Sequence, residues 1–171
     1  MFTLDWIKCA LRVKPAQNLR PCLVSCPAHS AEDAPRDFVS RRRGEWGEAV
    51  AADYLLKTKR WRLIGKRVRP CAADRRCEID IIARTAEGGV VFVEVKAHRS
   101  RSQYASRLWR IDRRKKENLL RACSNWIMRK KWHGNFRFDV IEVYGTEESE
   151  TPPEIDHIEN VPLFPPKWRF W

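Results

Sequence analysis

Residues 77–96 read CEIDIIARTAEGGVVFVEVK, and this stretch decides the fold. Cys77–Ala83 is rich in β-branched residues, and Val90–Lys96 is apolar on both faces until its end. Each has the composition of a buried strand. Between them Glu87-Gly88-Gly89 is a turn signal, so the pair is expected to form a β-hairpin. Strand alternation then decides which side chains are neighbours. Val90, Phe92, Glu94 and Lys96 share one face of the second strand, while Val91, Val93 and Val95 share the other. In the first strand Glu78, Asp80 and Ile82 share a face. A strand apolar on both sides carries a carboxylate and an ammonium at a cost, unless they pair or bind a metal. Asp80 and Glu94, brought together across the hairpin, make a hard-oxygen pocket suited to Mg²⁺. Lys96, on the face of Glu94, sits within reach of a metal-bound water. Phosphodiester hydrolysis needs such a set: a metal that acidifies water and stabilises the transition state, and a cation that orients the nucleophile. The competing reading is a salt-bridged strand end, with Glu94 and Lys96 exposed at a sheet rim.

Working outward, Phe38 to about Lys59 has helical periodicity, with Trp46, Ala49, Val50 and Leu56 near one face. Glu48 lies beside that face, since Glu48, Ala52 and Leu55 stand at i, i+4 and i+7. Trp61–Val68 reads as a strand. Ile111 to about Lys131 reads as a second amphipathic helix, with Ile111, Lys115, Leu119, Ala122 and Trp126 on one stripe. Phe136–Val143 is a further strand, and a short one is expected near Ile155–Ile158. Arg137 and Asp139 are expected to form an internal ion pair. Residues 1–37 hold four of the ten prolines and no sustained periodicity, so they read as a loosely ordered basic arm. The expected organisation is this arm, one α/β domain over 38–164 with a central mixed sheet flanked by helices, and a tail over 165–171.

Charge narrows the partner. The 171 residues carry a net +12. All of that excess lies between Gly44 and Val143, because the basic arm and the acidic tail cancel. His98–Lys116 holds eight Arg or Lys residues with Asp112 as its sole acid. Such density makes a phosphate-binding surface the better reading than a solvated helix face. Trp109 and Tyr104, interleaved with the basic run, have the chemistry to stack on unpaired bases, although aromatics more often serve the core. No apolar stretch approaches the roughly 20 residues of a membrane span. Asp5 and Lys8 interrupt the only apolar segment near the N-terminus, so a signal peptide is not expected and the setting is read as cytoplasmic. The six cysteines lack zinc-finger spacing, and a cytoplasmic setting disfavours disulfides.

Several ordered segments carry a resemblance: GEWGEAVAADYL, CEIDIIA, VVFVEVKAHRS, the Lys115 region, RFDVIEV and the late HIEN at His157–Asn160. Together, over roughly Gly44 to Phe164, they resemble the YraN-like uncharacterised proteins of bacteria. That family is assigned to the restriction-endonuclease-like fold, the PD-(D/E)XK nuclease superfamily that includes Holliday-junction resolvases. The resemblance implies a metal-dependent nuclease acting on DNA, with branched or junction DNA as the substrate class. It implies Asp80, Glu94 and Glu48 as ligands of Mg²⁺ (Mn²⁺ as the substitute) and Lys96 as the catalytic lysine. Lys115 matches a family lysine suited to clamping phosphate, and Arg99, Arg101, Gln103, Arg110, Arg113, Arg114 and Lys116 are expected to contact nucleic acid beside it. Resolvase-like relatives work as dimers, so a homodimer is the expectation by analogy. Two departures stand out: Cys77 where the family usually has glycine, and Ala105 where glycine is common. A fold does not fix a function. The alternative is therefore a non-catalytic nucleic-acid-binding or adaptor module on the same scaffold.

Overall fold

The computed structural model describes residues 34–71, 74, 76–101 and 112–165. Gln103, Tyr104, Ala105, Trp109, Arg110, Ile111, Cys9, Cys22, Cys26, residues 1–33 and the tail over 166–171 lie outside the described residues.

The hairpin forms where the glycine turn places it. Strand β2 (Ile79–Arg84) runs antiparallel to β3 (Val90–His98), with Ile81 opposite Val93 and Ile82 opposite Phe92. Gly88 takes a left-handed φ of 88°, and its N–H donates to the Thr85 carbonyl at 3.0 Å. On the far side of β2 lies β1 (Arg62–Val68), antiparallel and with a register shift between Leu63 and Gly65. On the far side of β3 lies β4 (Phe136–Tyr144), which is parallel, followed by antiparallel β5 (Glu154–Ile158). The sheet order is β1-β2-β3-β4-β5. A parallel β3–β4 pair needs a crossover, and the helix over Arg113–Lys130, following α1 (Ala34–Lys57) and here called α2, lies within it. The central mixed sheet flanked by helices is thus the architecture found.

The two helices cover opposite faces of the sheet. Leu119, Ala122, Cys123 and Trp126 of α2 pack on Ile82, Val90, Phe92, Phe138 and Val140. Ala51, Ala52 and Leu55 of α1 pack on Ile81, Ala83, Val91, Val93, Ile141 and Val143. These sets alternate along each strand, which is why β3 and β4 are apolar on both sides.

Helix α1 departs from its expected limits and in part from its expected face: Trp46 and Val50 pack against the core as expected, but Ala49 and Leu56 do not. It begins at Ala34, four residues before Phe38, and Leu56 is 48% exposed. The buried line runs Gly47, Ala51, Leu55, each one turn from the last. Small residues let the helix lie close to the sheet. At Gly47 an added Cβ would stand 2.6 Å from the Ala97 Cβ, so this approach requires glycine. The helix stops at a left-handed Arg60 (φ 56°), where the Trp61 N–H donates to the Leu55 carbonyl at 2.9 Å.

Candidate active site

The face of the sheet under α2 changes character along β3 and β4. Register places Val90 beside Phe136, Phe92 beside Phe138, Glu94 beside Val140, Lys96 beside Glu142, and His98 beside Tyr144. The first rows are core. The last rows are polar and stand at the C-terminal end of the parallel pair, the end at which α/β sheets place their ligands.

Glu94 is the centre of this polar end. It is 2% exposed, and its Oε1 accepts from Lys96 Nζ at 2.8 Å and pairs with Lys115 Nζ at 3.1 Å. Its other oxygen, Oε2, has no hydrogen-bond partner. An orphaned carboxylate oxygen in the interior costs on the order of 1–3 kcal/mol or more. Lys115 reaches the site because α2 begins there: Asp112 caps the helix by accepting from the Lys115 N–H at 2.9 Å. Burial opposes the Lys115 charge, but the carboxylates of Glu94 and Asp80 outweigh it and hold its pKa above the usual lysine range.

Asp80 stands one position before the Ile81–Val93 pair, opposite Glu94 across the hairpin. The Val95 N–H donates to its Oδ2 at 2.8 Å. Burial first, and then the negative charge of Glu94, push the Asp80 carboxyl up to about 7, against the pull of the Val95 N–H and Lys115. Near neutral pH the protein therefore holds a carboxyl poised between its charged and neutral forms, beside a second one.

Glu48 is on the near side of α1 but is engaged elsewhere. Arg67 Nε donates to its Oε2 at 2.9 Å, and Arg67 Nη1 reaches Glu45 Oε1 at 3.2 Å. Arg67 has a left-handed φ of 48° inside β1, an uncommon conformation for a residue with a side chain. Among the described residues no three His, Cys, Asp or Glu side chains converge closely enough to hold a metal ion. The structure thus brings Asp80, Glu94, Lys96 and Lys115 together and leaves Glu48 in the Arg67 pair. Two carboxylates with a free oxygen still fit Mg²⁺, which commonly takes one or two protein carboxylates and keeps several waters.

The basic run divides. Arg101 pairs with Glu154 at 2.7 Å and Asp156 at 2.8 Å and covers the Tyr144 ring at 4.9 Å, which staples the segment after β3 to β5. Arg113 pairs with Glu117 one turn on. Arg114 and Lys116 follow it at the start of α2, with no acid in the first turn, where the helix dipole disfavours cations. Arg99 lines a cavity of about 140 Å³ with Trp46, Arg42 and Arg43. Arg137 and Asp139 form the internal ion pair expected of them. Fully buried Asp139 also takes His157 Nε2 at 2.9 Å and the Asn160 N–H at 2.8 Å.

Sequence reasoning missed Glu142 and Tyr144. Glu142 is 3% exposed, its Oε2 accepts from the Tyr144 hydroxyl at 2.5 Å, and its Oε1 has no partner. The alternation that singled out Glu94 and Lys96 applies equally to Glu142 and Tyr144, and was the available signal.

Comparison with known proteins places this chain. A family model described as "Uncharacterised protein family UPF0102" matches residues 47–143. A UPF0102 protein of Trichlorobacter lovleyi is 36% identical over 118 residues, covering 68% of this chain and 87% of the relative. A UPF0102 protein of Clostridioides difficile is 34% identical over 122 residues, covering 71% and 96%. One from Halorhodospira halophila is 40% identical over 108 residues, covering 63% and 81%. The chain belongs to the UPF0102 family, in agreement with its YraN-like motifs.

Proposed function

We propose that this UPF0102 member is a divalent-cation-dependent nuclease that hydrolyses phosphodiester bonds of DNA. Branched or junction DNA is the proposed substrate, and a cytoplasmic homodimer the working form. One observation carries the reading. A buried carboxylate, Glu94, faces a second one, Asp80, with two lysines on one of its oxygens and nothing on the other. A core element gains no stability from such a group, since an apolar pair of the same shape serves as well or better.

Asp80 and Glu94 would hold Mg²⁺, or Mn²⁺ in its place, and Glu48 would join them on leaving Arg67. The cation, when bound, supplies Lewis-acid stabilisation of phosphoryl charge and a more acidic water. Lys96 then orients the attacking water and offsets negative charge on the phosphate. Lys115, 3.1 Å from Glu94, is placed to hold a neighbouring phosphate oxygen. Arg113, Arg114 and Lys116 at the start of α2 extend the surface for the DNA backbone, and Arg99, which lines a cavity with Trp46 of α1, adds to it. No helix among the described residues is long and apolar enough to cross a membrane.

The Glu48–Arg67 pair favours the second reading, a nucleic-acid-binding module without catalysis. Calorimetric titration of Mg²⁺ and Mn²⁺ separates the two. The nuclease reading expects cation binding in wild type and its loss in Glu94→Ala. No heat in either protein, together with DNA binding whose logarithm falls steeply with that of salt concentration, supports the binding module instead.

A further inference from the structure

The polar row holds a third buried carboxylate that the cation-binding pair leaves unused. Glu142 is the register neighbour of Lys96 on parallel strands, so both side chains project from the same face under α2. Adjacent strands lie roughly 4.8 Å apart, well within the span of a lysine side chain. Glu142 is 3% exposed, yet half of its carboxylate has no partner. The other half is fixed by the Tyr144 hydroxyl at 2.5 Å. The Tyr144 ring is in turn stacked on His98 at 5.2 Å and covered by Arg101. One oxygen of Glu142 is therefore fixed, and the other, Oε1, is left without a partner one strand away from Lys96.

Lys96 and Lys115 share a single oxygen of Glu94. Once Glu94 is engaged by a divalent cation, its carboxylate no longer offsets two ammonium groups, and one of them needs another acceptor. Both lysines are 35% exposed; Lys115 stands at the start of α2, whereas Lys96 lies on the sheet as the register neighbour of Glu142. We propose that Glu142 is the positioning residue for Lys96. It receives the Lys96 ammonium when Glu94 turns to the cation, and so holds the lysine at the reacting centre. This inference rests on the cation-binding reading of Asp80 and Glu94.

A double-mutant cycle on cation affinity tests it, with Mg²⁺ as the probe and calorimetry as the readout. Without Glu142, Lys96 must stay on Glu94 and compete with the cation. Glu142→Gln is expected to weaken Mg²⁺ binding roughly tenfold, the equivalent of about 1.4 kcal/mol, in the Lys96 background. In a Lys96→Met background the same change is expected to alter affinity less than about twofold. Equal weakening in both backgrounds, or no change in either, overturns the proposal while leaving the cation site standing. No Mg²⁺ binding by wild type overturns both. Should Glu142→Gln fail to fold, NMR of the wild-type protein decides. With Mg²⁺ saturating, the hydrogen-bond correlation from Lys96 Nζ is expected to move from the Glu94 to the Glu142 carboxylate. A correlation that stays on Glu94 overturns the proposal.

Discussion

Replacing Asp80 with asparagine is expected to stabilise the cation-free protein, and to do so more at high pH than at low. The folded chain holds this carboxyl at about 7 instead of the ordinary 3.8, because it is buried beside Glu94. Between those values the folded protein binds a proton that the unfolded chain has released, so stability falls as pH rises through the interval. Above about 7 the cost is complete and amounts to on the order of 4 kcal/mol; at pH 5 it is on the order of 2 kcal/mol. Asparagine carries no charge to desolvate, and its side-chain oxygen still accepts from the Val95 N–H. The advantage of Asp80→Asn over wild type should therefore grow by about 2 kcal/mol between pH 5 and pH 8. Urea denaturation with chelator, followed by tryptophan fluorescence, measures it, and comparing two pH values cancels whatever else the substitution changes. Saturating Mg²⁺ should then reverse the ranking: at a hundred times Kd it adds about 2.7 kcal/mol to wild type, and little to the variant. A difference between the two proteins that is the same at pH 5 and pH 8 would refute the strained carboxylate pair.

Four further substitutions probe the site and the frame around it. Gly47→Ala should cost about 1–3 kcal/mol of stability despite the better helix propensity of alanine, and Ala97→Gly should restore most of it, because the added methyl meets Ala97 at 2.6 Å. Asp139→Ala should lower stability in urea titrations by about 3–5 kcal/mol, since it strips Arg137, His157 and the Asn160 N–H of a common buried acceptor. Lys115→Met should leave the fold within about 1 kcal/mol, as Glu94 keeps Lys96. It should reduce the slope of log DNA affinity against log salt by about one, a value read from binding isotherms at several salt concentrations.

The sheet was legible because its signals are local. A glycine turn between two apolar runs set the β2–β3 hairpin, and period-two alternation then put Asp80, Glu94 and Lys96 on one face. The apolar stripe of α2 likewise gave its buried side and carried Lys115 toward Glu94. What sequence could not give depends on partners far along the chain. Glu48 sits where helical spacing put it, beside the buried line, but its partner is Arg67, turned by a left-handed backbone residue that no spacing reveals. Arg101 belongs by composition to the basic run, yet Glu154 and Asp156 on β5 hold it in place. On α1 Leu56 was placed on the buried side but is exposed, because the buried line runs through Gly47, Ala51 and Leu55, with the two small residues allowing close approach. Glu142 was hidden for a related reason. The strand RFDVIEV carries two acids, Asp139 and Glu142, on opposite faces, and only the register with β3 shows that Glu142 is the neighbour of Lys96.

Cleavage of end-labelled DNA tests the central claim most directly, using a panel of duplex, single-stranded, flap and four-way-junction substrates. Wild type is expected to cut at least one branched substrate in Mg²⁺ and none in chelator. Asp80→Ala and Glu94→Ala are each expected to lose on the order of a thousandfold in rate. Identical traces of cleavage from wild type and Asp80→Ala, with branched DNA still bound, would contradict it.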